Sequence, residues 1–183
     1  MFPSISNKIT ILGIDPGLGN TGWGIIECSR SFKYKFIECG ILKTETNDPL
    51  GSRLIFIYNS IFSLIKMFRP DKISIEKVFV NINPATSEKL IMARTAAFLA
   101  IAQSGHMCVE FTPNEIKKTV TGKGHGNKIL VKEAVQSILK FSTSENHFPK
   151  TADASDALAI ALCLAIQEEK EKNKLPIVEC KYG

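Results

Sequence analysis

The sequence predicts an α/β fold with one five-stranded mixed sheet flanked by helices. Three apolar segments come first, at residues 9–14, 21–27 and 34–42, and short connections join them. Such connections are typical of antiparallel hairpins. Two later apolar segments, at residues 72–76 and 107–111, are separated by a helical pattern, as in parallel strands with a crossover helix. We therefore expect three antiparallel strands and then two parallel ones.

The first two predicted helices lie on either side of the fourth strand. Residues 50–68 precede Arg69 and Pro70, and proline disfavours helical backbone in the residue before it. The apolar residues of this helix lie nearly all round it, so we expect it to be well buried. The second helix begins at Asn83 and Pro84, as cap and first turn, and runs to about Ser104.

Three shorter helical segments complete the chain. Residues 112–115 read Thr-Pro-Asn-Glu, a capping box that starts a short helix. A loop at 121–127, a helix at 128–139, a loop at 142–150 and a helix from 152 to about 167 follow. We predict one domain over residues 1–168 and a charged, flexible tail over residues 169–183.

The composition excludes several classes of protein. A hydrophobic content of 44% with 22% charged residues fits a globular chain, and no segment reaches the roughly 20 apolar residues of a membrane helix. The first residues lack the pattern of a signal peptide. Five scattered cysteines without a C-x-x-C motif favour neither a zinc site nor a disulfide framework. A reducing cytoplasm is the simplest compartment, and no membrane partner is predicted.

Positive charge is concentrated in one part of the chain. Residues 112–150 hold seven lysines and three acids, whereas the rest of the chain is nearly balanced. A local basic segment indicates a polyanionic partner such as a nucleic acid. The alternative is a solvated, lysine-rich helix surface.

Residues 11–26, "ILGIDPGLGNTGWGII", carry the spacing of a dinucleotide-binding loop. Gly17, Gly19 and Gly22 form a G-x-G-x-x-G pattern after an apolar strand. That motif needs a helix directly after the loop, to hold the pyrophosphate at its N-terminus. Gly24 and β-branched residues follow instead, and they are poor helix formers. We interpret the three glycines as turn residues with positive φ.

Four acids stand at the ends of predicted elements. Asp15 ends the first strand, Glu76 ends the fourth, and Asp153 and Asp156 share one face at the start of the last helix. Each has a structural alternative: turn hydrogen bonds, pairing with a neighbouring lysine, or compensation of the helix dipole. If the last helix packs beside the first and fourth strands, the four carboxylates meet and require cations. Mg²⁺ prefers such oxygen ligands, and two ions could promote cleavage of a phosphodiester.

The ordered motifs resemble those of RuvC-type Holliday-junction resolvases. The segments are "ILGIDPG", "IEKVF", "MAR", "TVTGKGHGNK" and "DASDALAIA", within residues 9–165. The resemblance implies a ribonuclease-H-like nuclease domain and a homodimer. It implies Mg²⁺-dependent symmetric nicking of four-way DNA junctions in recombination and repair, leaving 5′-phosphate and 3′-hydroxyl ends. Two ions per site, replaceable by Mn²⁺, and a branch-migration complex as partner are further implications.

The resemblance also assigns residues. Asp15, Glu76, Asp153 and Asp156 match the catalytic, metal-binding acids of the family. Five residues are predicted to contact DNA: Phe79, Arg94, Lys117, Lys123 and Lys128. The alternatives are a core aromatic for Phe79, an internal ion pair for Arg94 and a solvated helix surface for the lysines.

The helix after the fourth strand is the expected dimer face. Leu90, Ile91, Phe98 and Ile101 would form it, unless all four belong to the core of the subunit. The chain departs from the family pattern at Thr95, Gly126 and Asn20, where glycine, alanine and a basic or polar residue are usual.

Three other functions compete with a DNA junction nuclease. One is a related nuclease-fold protein that acts on RNA. Another is a junction-binding protein without catalysis, although four intact acids argue against it. The third is an actin-like phosphotransferase, which would need two domains around a nucleotide.

Overall fold

Five strands form one sheet in the order β3-β2-β1-β4-β5. The computed structural model describes residues 8–29, 31, 33–78, 84–123, 127–140 and 151–174. β1 is antiparallel to β2, and β2 to β3, whereas β1 pairs in parallel with β4, and β4 with β5. The predicted mixed sheet is therefore confirmed. The strands are β1 (Lys8–Asp15), β2 (Asn20–Ser29), β3 (Tyr34–Lys43), β4 (Lys72–Glu76) and β5 (Cys108–Phe111).

Five helices surround the sheet in the described part of the chain. They are α1 (Leu50–Phe68), α2 (Pro84–Gln103), α3 (Pro113–Thr121), α4 (Lys128–Ile138) and α5 (Ala152–Lys174). The capping box at Thr112 forms as predicted, with Glu115. α5 runs to Lys174 rather than ending near Gln167, so part of the predicted tail is helical. The division at residue 168 stays a prediction. No helix in these ranges has both the length and the apolarity to span a membrane.

α5 is the central helix of one face of the sheet. It packs on β1 and β2, while α3 and α4 cover its outer side. Residues 157–165 are therefore buried all round, which explains why that part of α5 is almost entirely apolar.

α1 and α2 cover the opposite face of the sheet. Ile57, Ile61 and Ile65 of α1 are buried at a spacing of four residues, which puts them on one stripe. The prediction that α1 is well buried is wrong, because Ile55 and Phe56 are 62% and 45% exposed. α1 lies in an outer layer of the fold. Its second apolar side is exposed and does not pack against another element of the described residues.

Of the three glycines of the first hairpin, Gly22 allows close packing against α5. Among the described glycines, positive φ occurs at Gly105 and Gly122, so the positive φ predicted for Gly17, Gly19 and Gly22 is wrong. A Cβ at Gly22 would lie 2.1 Å from the carbonyl oxygen of Asp153.

Gly13 and Gly24, which lie near Gly22 in the sheet, also lie too close to α5 for a side chain. A Cβ at Gly13 would lie 2.2 Å from the carbonyl oxygen of Ala157, and one at Gly24 would lie 2.7 Å from Cδ2 of Leu158. Real Cβ atoms do not approach other atoms so closely. This glycine stripe therefore lets the backbone of α5 approach the sheet.

Candidate active site

Four carboxylates converge at one edge of the sheet. Asp15 and Glu76 are the last residues of β1 and β4, which are adjacent and parallel, so both lie at the same edge. Asp153 and Asp156 belong to the first turns of α5, which packs on these strands. All four are half-buried and line a single pocket of about 480 Å³.

The close approach of α5 to the sheet explains how the two acids of the helix meet the two acids at the strand ends. Gly22 lies directly opposite Asp15 in the β1–β2 register. Because Gly22 has no side chain, the backbone of Asp153 can sit over this pair. The first turn of α5 thus lies against the end of β1, and its acids face those of the strands.

Burial and mutual repulsion raise the pKa of the carboxyl groups at this edge of the sheet. Burial raises the pKa of Asp15 well above its usual value, and the charges of Glu76, Asp156 and Asp153 raise it further. A hydrogen bond with Glu76 raises the pKa of Asp15 and lowers that of Glu76.

Two lysines partly offset the raised pKa values of Glu76 and Asp156. Burial raises the pKa of Glu76 and of Asp156, while Lys128 and Lys117 oppose these increases. The Nζ of Lys128 lies 3.8 Å from Oδ2 of Asp156, and its side chain is 80% exposed. An ion pair so exposed adds little stability, so the lysine remains available to another anion.

Lys117 and Lys128 bring the predicted basic segment to the pocket. Both line it, from α3 and from the first residue of α4. Lys77 lines it too, although the sequence suggested only that Glu76 could form an ion pair with Lys72 or Lys77. Its position directly after a strand-end acid was a signal that Lys77 also lies at this edge of the sheet.

The remaining predicted DNA contacts are not placed in the pocket. Phe79 lies outside the described residues, and Lys123 is an exposed residue beyond the end of α3. Arg94 forms an ion pair with Glu110 of β5, and its guanidinium lies 4.5 Å from the centre of the Phe98 ring. The alternative of an internal ion pair for Arg94 is thus present, and its contact with DNA stays a prediction.

The donor set of the pocket suits a hard divalent cation. Four carboxylates supply only oxygen ligands, and within the described chain Asp15 has no ion-pair partner to neutralise it. In the described ranges, no group of three or more His, Cys, Asp or Glu side chains is positioned to hold one metal ion. A cation bound here would offset the mutual repulsion that raises the pKa of Asp15.

A family sequence model agrees with this architecture. The model described as crossover junction endodeoxyribonuclease RuvC matches residues 11–164. The chain belongs to the RuvC family. A RuvC from Rhodopseudomonas palustris (strain BisB18) is 42% identical over 160 residues, 87% of this chain and 88% of its own length. A RuvC from Ruegeria pomeroyi is 44% identical over 155 residues, 85% of this chain and 90% of its own.

Solved RuvC structures share the fold. The structure of Thermus thermophilus RuvC in complex with Holliday junction substrate matches with a TM-score of 0.82 at 26% identity, over 89% of this chain and 96% of that one. The yeast mitochondrial Holliday junction resolvase Ydc2 matches with a TM-score of 0.67 at 16% identity, over 89% and 82% of the two chains, which bears on the fold alone. The RuvC resemblance and the ribonuclease-H-like fold are both confirmed.

Proposed function

We propose that this RuvC-family chain resolves Holliday junctions by symmetric nicking of two strands, leaving 5′-phosphate and 3′-hydroxyl ends, in recombination and repair. The observation that carries the proposal is the pocket in which Asp15, Glu76, Asp153 and Asp156 meet beside Lys117 and Lys128. An acidic centre for cations next to lysines for phosphates is the arrangement that hydrolysis of a polyanion requires.

The RuvC family consists of divalent-metal-dependent nucleases, and we assign the cation to the four acids. Mg²⁺, with two ions per site and Mn²⁺ as a substitute, fits the oxygen-only donor set. When bound, such ions activate water and stabilise the leaving oxygen. Asp15 and Glu76 would hold them from the strands, and Asp153 and Asp156 from the helix.

The basic residues would position the DNA. Lys117 and Lys128 face the acids, so a phosphate between them would lie next to the metal-binding carboxylates. Phe79, Lys123 and Arg94 remain predicted DNA contacts, Phe79 by stacking on a base. A branch-migration complex as a further partner, and the cytoplasm as the compartment, also remain predictions from the family.

Cation binding should strengthen as the pH rises. Because the pKa values of Asp15 and Glu76 are raised, protons compete with a cation for these carboxylates as the pH falls. We expect Mn²⁺ affinity to increase up to the raised pKa and then to level off. Calorimetric titration at several pH values, in buffers of different ionisation enthalpy, measures both the affinity and the protons released. An affinity independent of pH with no proton release would contradict this linkage.

A panel of substrates tests the function itself. With Mg²⁺, we expect paired nicks in a synthetic four-way junction and none in a linear duplex of the same sequence. Cleavage of an RNA duplex in preference to the junction would favour the RNA-directed alternative. Junction binding without nicks would favour the non-catalytic one, and ATP hydrolysis would revive the phosphotransferase.

An exposed apolar surface on the face opposite α5 supports the proposed homodimer. An apolar groove of about 310 Å³ lies between α1 and α2, and Ile55, Ile91, Thr95 and Leu99 are among its lining residues. Of these, Ile55 and Leu99 are about 60% exposed, an unusual state for aliphatic side chains that lie together. A second copy that covered this groove would remove them from water.

Three of the four residues predicted for the dimer face do not line this groove. Ile101 is buried in the core, Phe98 packs against the core, and Leu90 lines the pocket of the four acids. Of the four, Ile91 alone lines the α1–α2 groove. The sequence of α2 is apolar on several sides, so its periodicity did not separate the side facing the core from the side facing outward.

Leu99→Glu should dissociate the dimer. A buried charge without a partner opposes association, and we expect the dissociation constant to rise at least about 30-fold, as at an interface hot spot worth about 2 kcal/mol. Met107→Glu is the matched control, because Met107 is 92% exposed and lies outside the groove. Sedimentation velocity across a concentration series measures both variants. Equal dimerisation of the two variants would place the interface elsewhere.

A further inference from the structure

Residues 16–19 form the turn between β1 and β2 and directly follow Asp15. Hydrogen bonds and core packing hold this turn in place. We call these residues the Asp15 turn. Thr21 anchors it locally: its hydroxyl donates to the carbonyl oxygen of Gly17 at 2.8 Å, and the Gly17 N–H donates to that hydroxyl at 3.3 Å. The side chain of Leu18 is buried in the core below the turn.

A second anchor comes from outside the hairpin. Thr44 follows the last residue of β3 and is 7% exposed. Its N–H donates to the carbonyl oxygen of Gly19 at 3.0 Å, and its hydroxyl donates to that of Leu18 at 2.5 Å. One residue therefore binds two consecutive carbonyl groups of the Asp15 turn.

Arg53 fixes the direction of the Thr44 hydroxyl. Its Nε donates to the Thr44 oxygen at 2.9 Å, from the first turns of α1. A hydroxyl has one proton, so an oxygen that accepts from Arg53 must direct that proton to Leu18. Arg53 is half-buried, and its guanidinium is engaged with this hydroxyl through Nε.

We propose that Thr44 and Arg53 are positioning residues for Asp15, acting through the backbone of the Asp15 turn. The inference rests on the proposed metal-dependent function. When all four acids are ionised they repel one another, and Asp15, at the start of a turn, is the one that a shift of the turn would move. Catalytic constellations need their groups held to within about 0.5 Å. The chain Arg53–Thr44–Leu18 supplies that restraint from α1 and β3.

Thr44→Val tests the proposal because it removes the hydroxyl and keeps the shape. We expect Mn²⁺ affinity, measured by calorimetry, to fall about tenfold and the turnover number to fall by a similar factor, as for other residues that support metal ligands. The KM for junction DNA should stay at its wild-type value. Thr44→Ser keeps the hydroxyl and should restore both quantities. Arg53→Met, which removes only the donor, should change them in the same direction as Thr44→Val and keeps the test open if Thr44→Val does not fold.

A control at the opposite edge of the sheet separates positioning from stability. Ser104 also donates its hydroxyl to a carbonyl oxygen, that of Ile101, at 2.6 Å. Ser104→Ala should lower the melting temperature without changing Mn²⁺ affinity. If Thr44→Val and Arg53→Met likewise lose only melting temperature, the positioning role is wrong. If the wild-type protein itself does not nick junctions, the proposed function fails, whatever the variants do.

Discussion

Asp15→Asn is expected to abolish nicking of four-way junctions while junction binding survives. Asparagine keeps the size of the side chain but removes the charge at the centre of the four acids, so the site holds a cation weakly. We expect the nicking rate to fall at least about a thousandfold, equivalent to about 4 kcal/mol of barrier. Single-turnover nicking assays with Mg²⁺, with binding measured separately in its absence, check both parts.

The same substitution should stabilise the metal-free protein. The pKa of Asp15 is raised in the folded state, so the folded protein loses stability as the pH rises from the ordinary carboxyl range through that raised value. Asparagine removes this loss, so the variant should melt above the wild type at neutral pH in EDTA. For a chain of this length, each kcal/mol relieved corresponds to about 2–4 °C.

A matched control is the exposed acid Asp48. Asp48→Asn should change neither nicking nor the melting temperature in EDTA. Undiminished nicking by Asp15→Asn would show that Asp15 is not a metal ligand. A lower melting temperature for Asp15→Asn would contradict the inference that the ionised Asp15 carboxylate destabilises the metal-free protein.

Gly22→Ala is expected to damage both the fold and the site. The added Cβ would lie 2.1 Å from the carbonyl oxygen of Asp153 and 2.6 Å from its carbonyl carbon. These are backbone atoms, so the clash is relieved only if β2 or the first turn of α5 moves. Overpacking of this kind costs about 1–3 kcal/mol, occasionally more. A shift of about 1 Å in the acids of α5 can lower the nicking rate about a hundredfold.

Gly51→Ala controls for the substitution itself. Gly51 lies in the first turn of α1, and a Cβ there would have nothing within 4 Å. Alanine in a helix is more stable than glycine by up to about 1 kcal/mol, so this variant should be neutral or stabilised and should nick normally. Denaturant unfolding and junction nicking measure both variants. Wild-type stability and activity in Gly22→Ala would mean that the glycine stripe does not set the position of α5.

The mixed sheet and the conditional meeting of the four acids were predictable from local rules, whereas the strand order was not predicted. Alternation, short connections and the capping box at Thr112 located the elements to within a few residues. The ends of parallel strands lie at one edge of a sheet, so Asp15 and Glu76 had to be neighbours once β1 and β4 paired. The apolar run after Asp156 required α5 to be buried, which brought its acids to the same edge.

What could not be predicted depends on contacts between distant segments. The spacing of Gly22 from the other glycines indicates a turn residue. Only the packing of α5 on the sheet shows that the lack of a side chain at Gly22 makes room for the backbone of Asp153. Likewise, the partner of Arg94 is Glu110, which the sequence does not identify. The apolar residues of α1 are alike in sequence, and only packing divides Ile57, which is buried, from Ile55, which is not.

The central claim is that the four acids form one cation site. A crystal of the protein soaked with Mn²⁺, with anomalous data collected at the manganese edge, tests it directly. We predict peaks bounded by the carboxylates of Asp15, Glu76, Asp153 and Asp156. Peaks elsewhere, or none at a Mn²⁺ concentration that supports nicking, would contradict it.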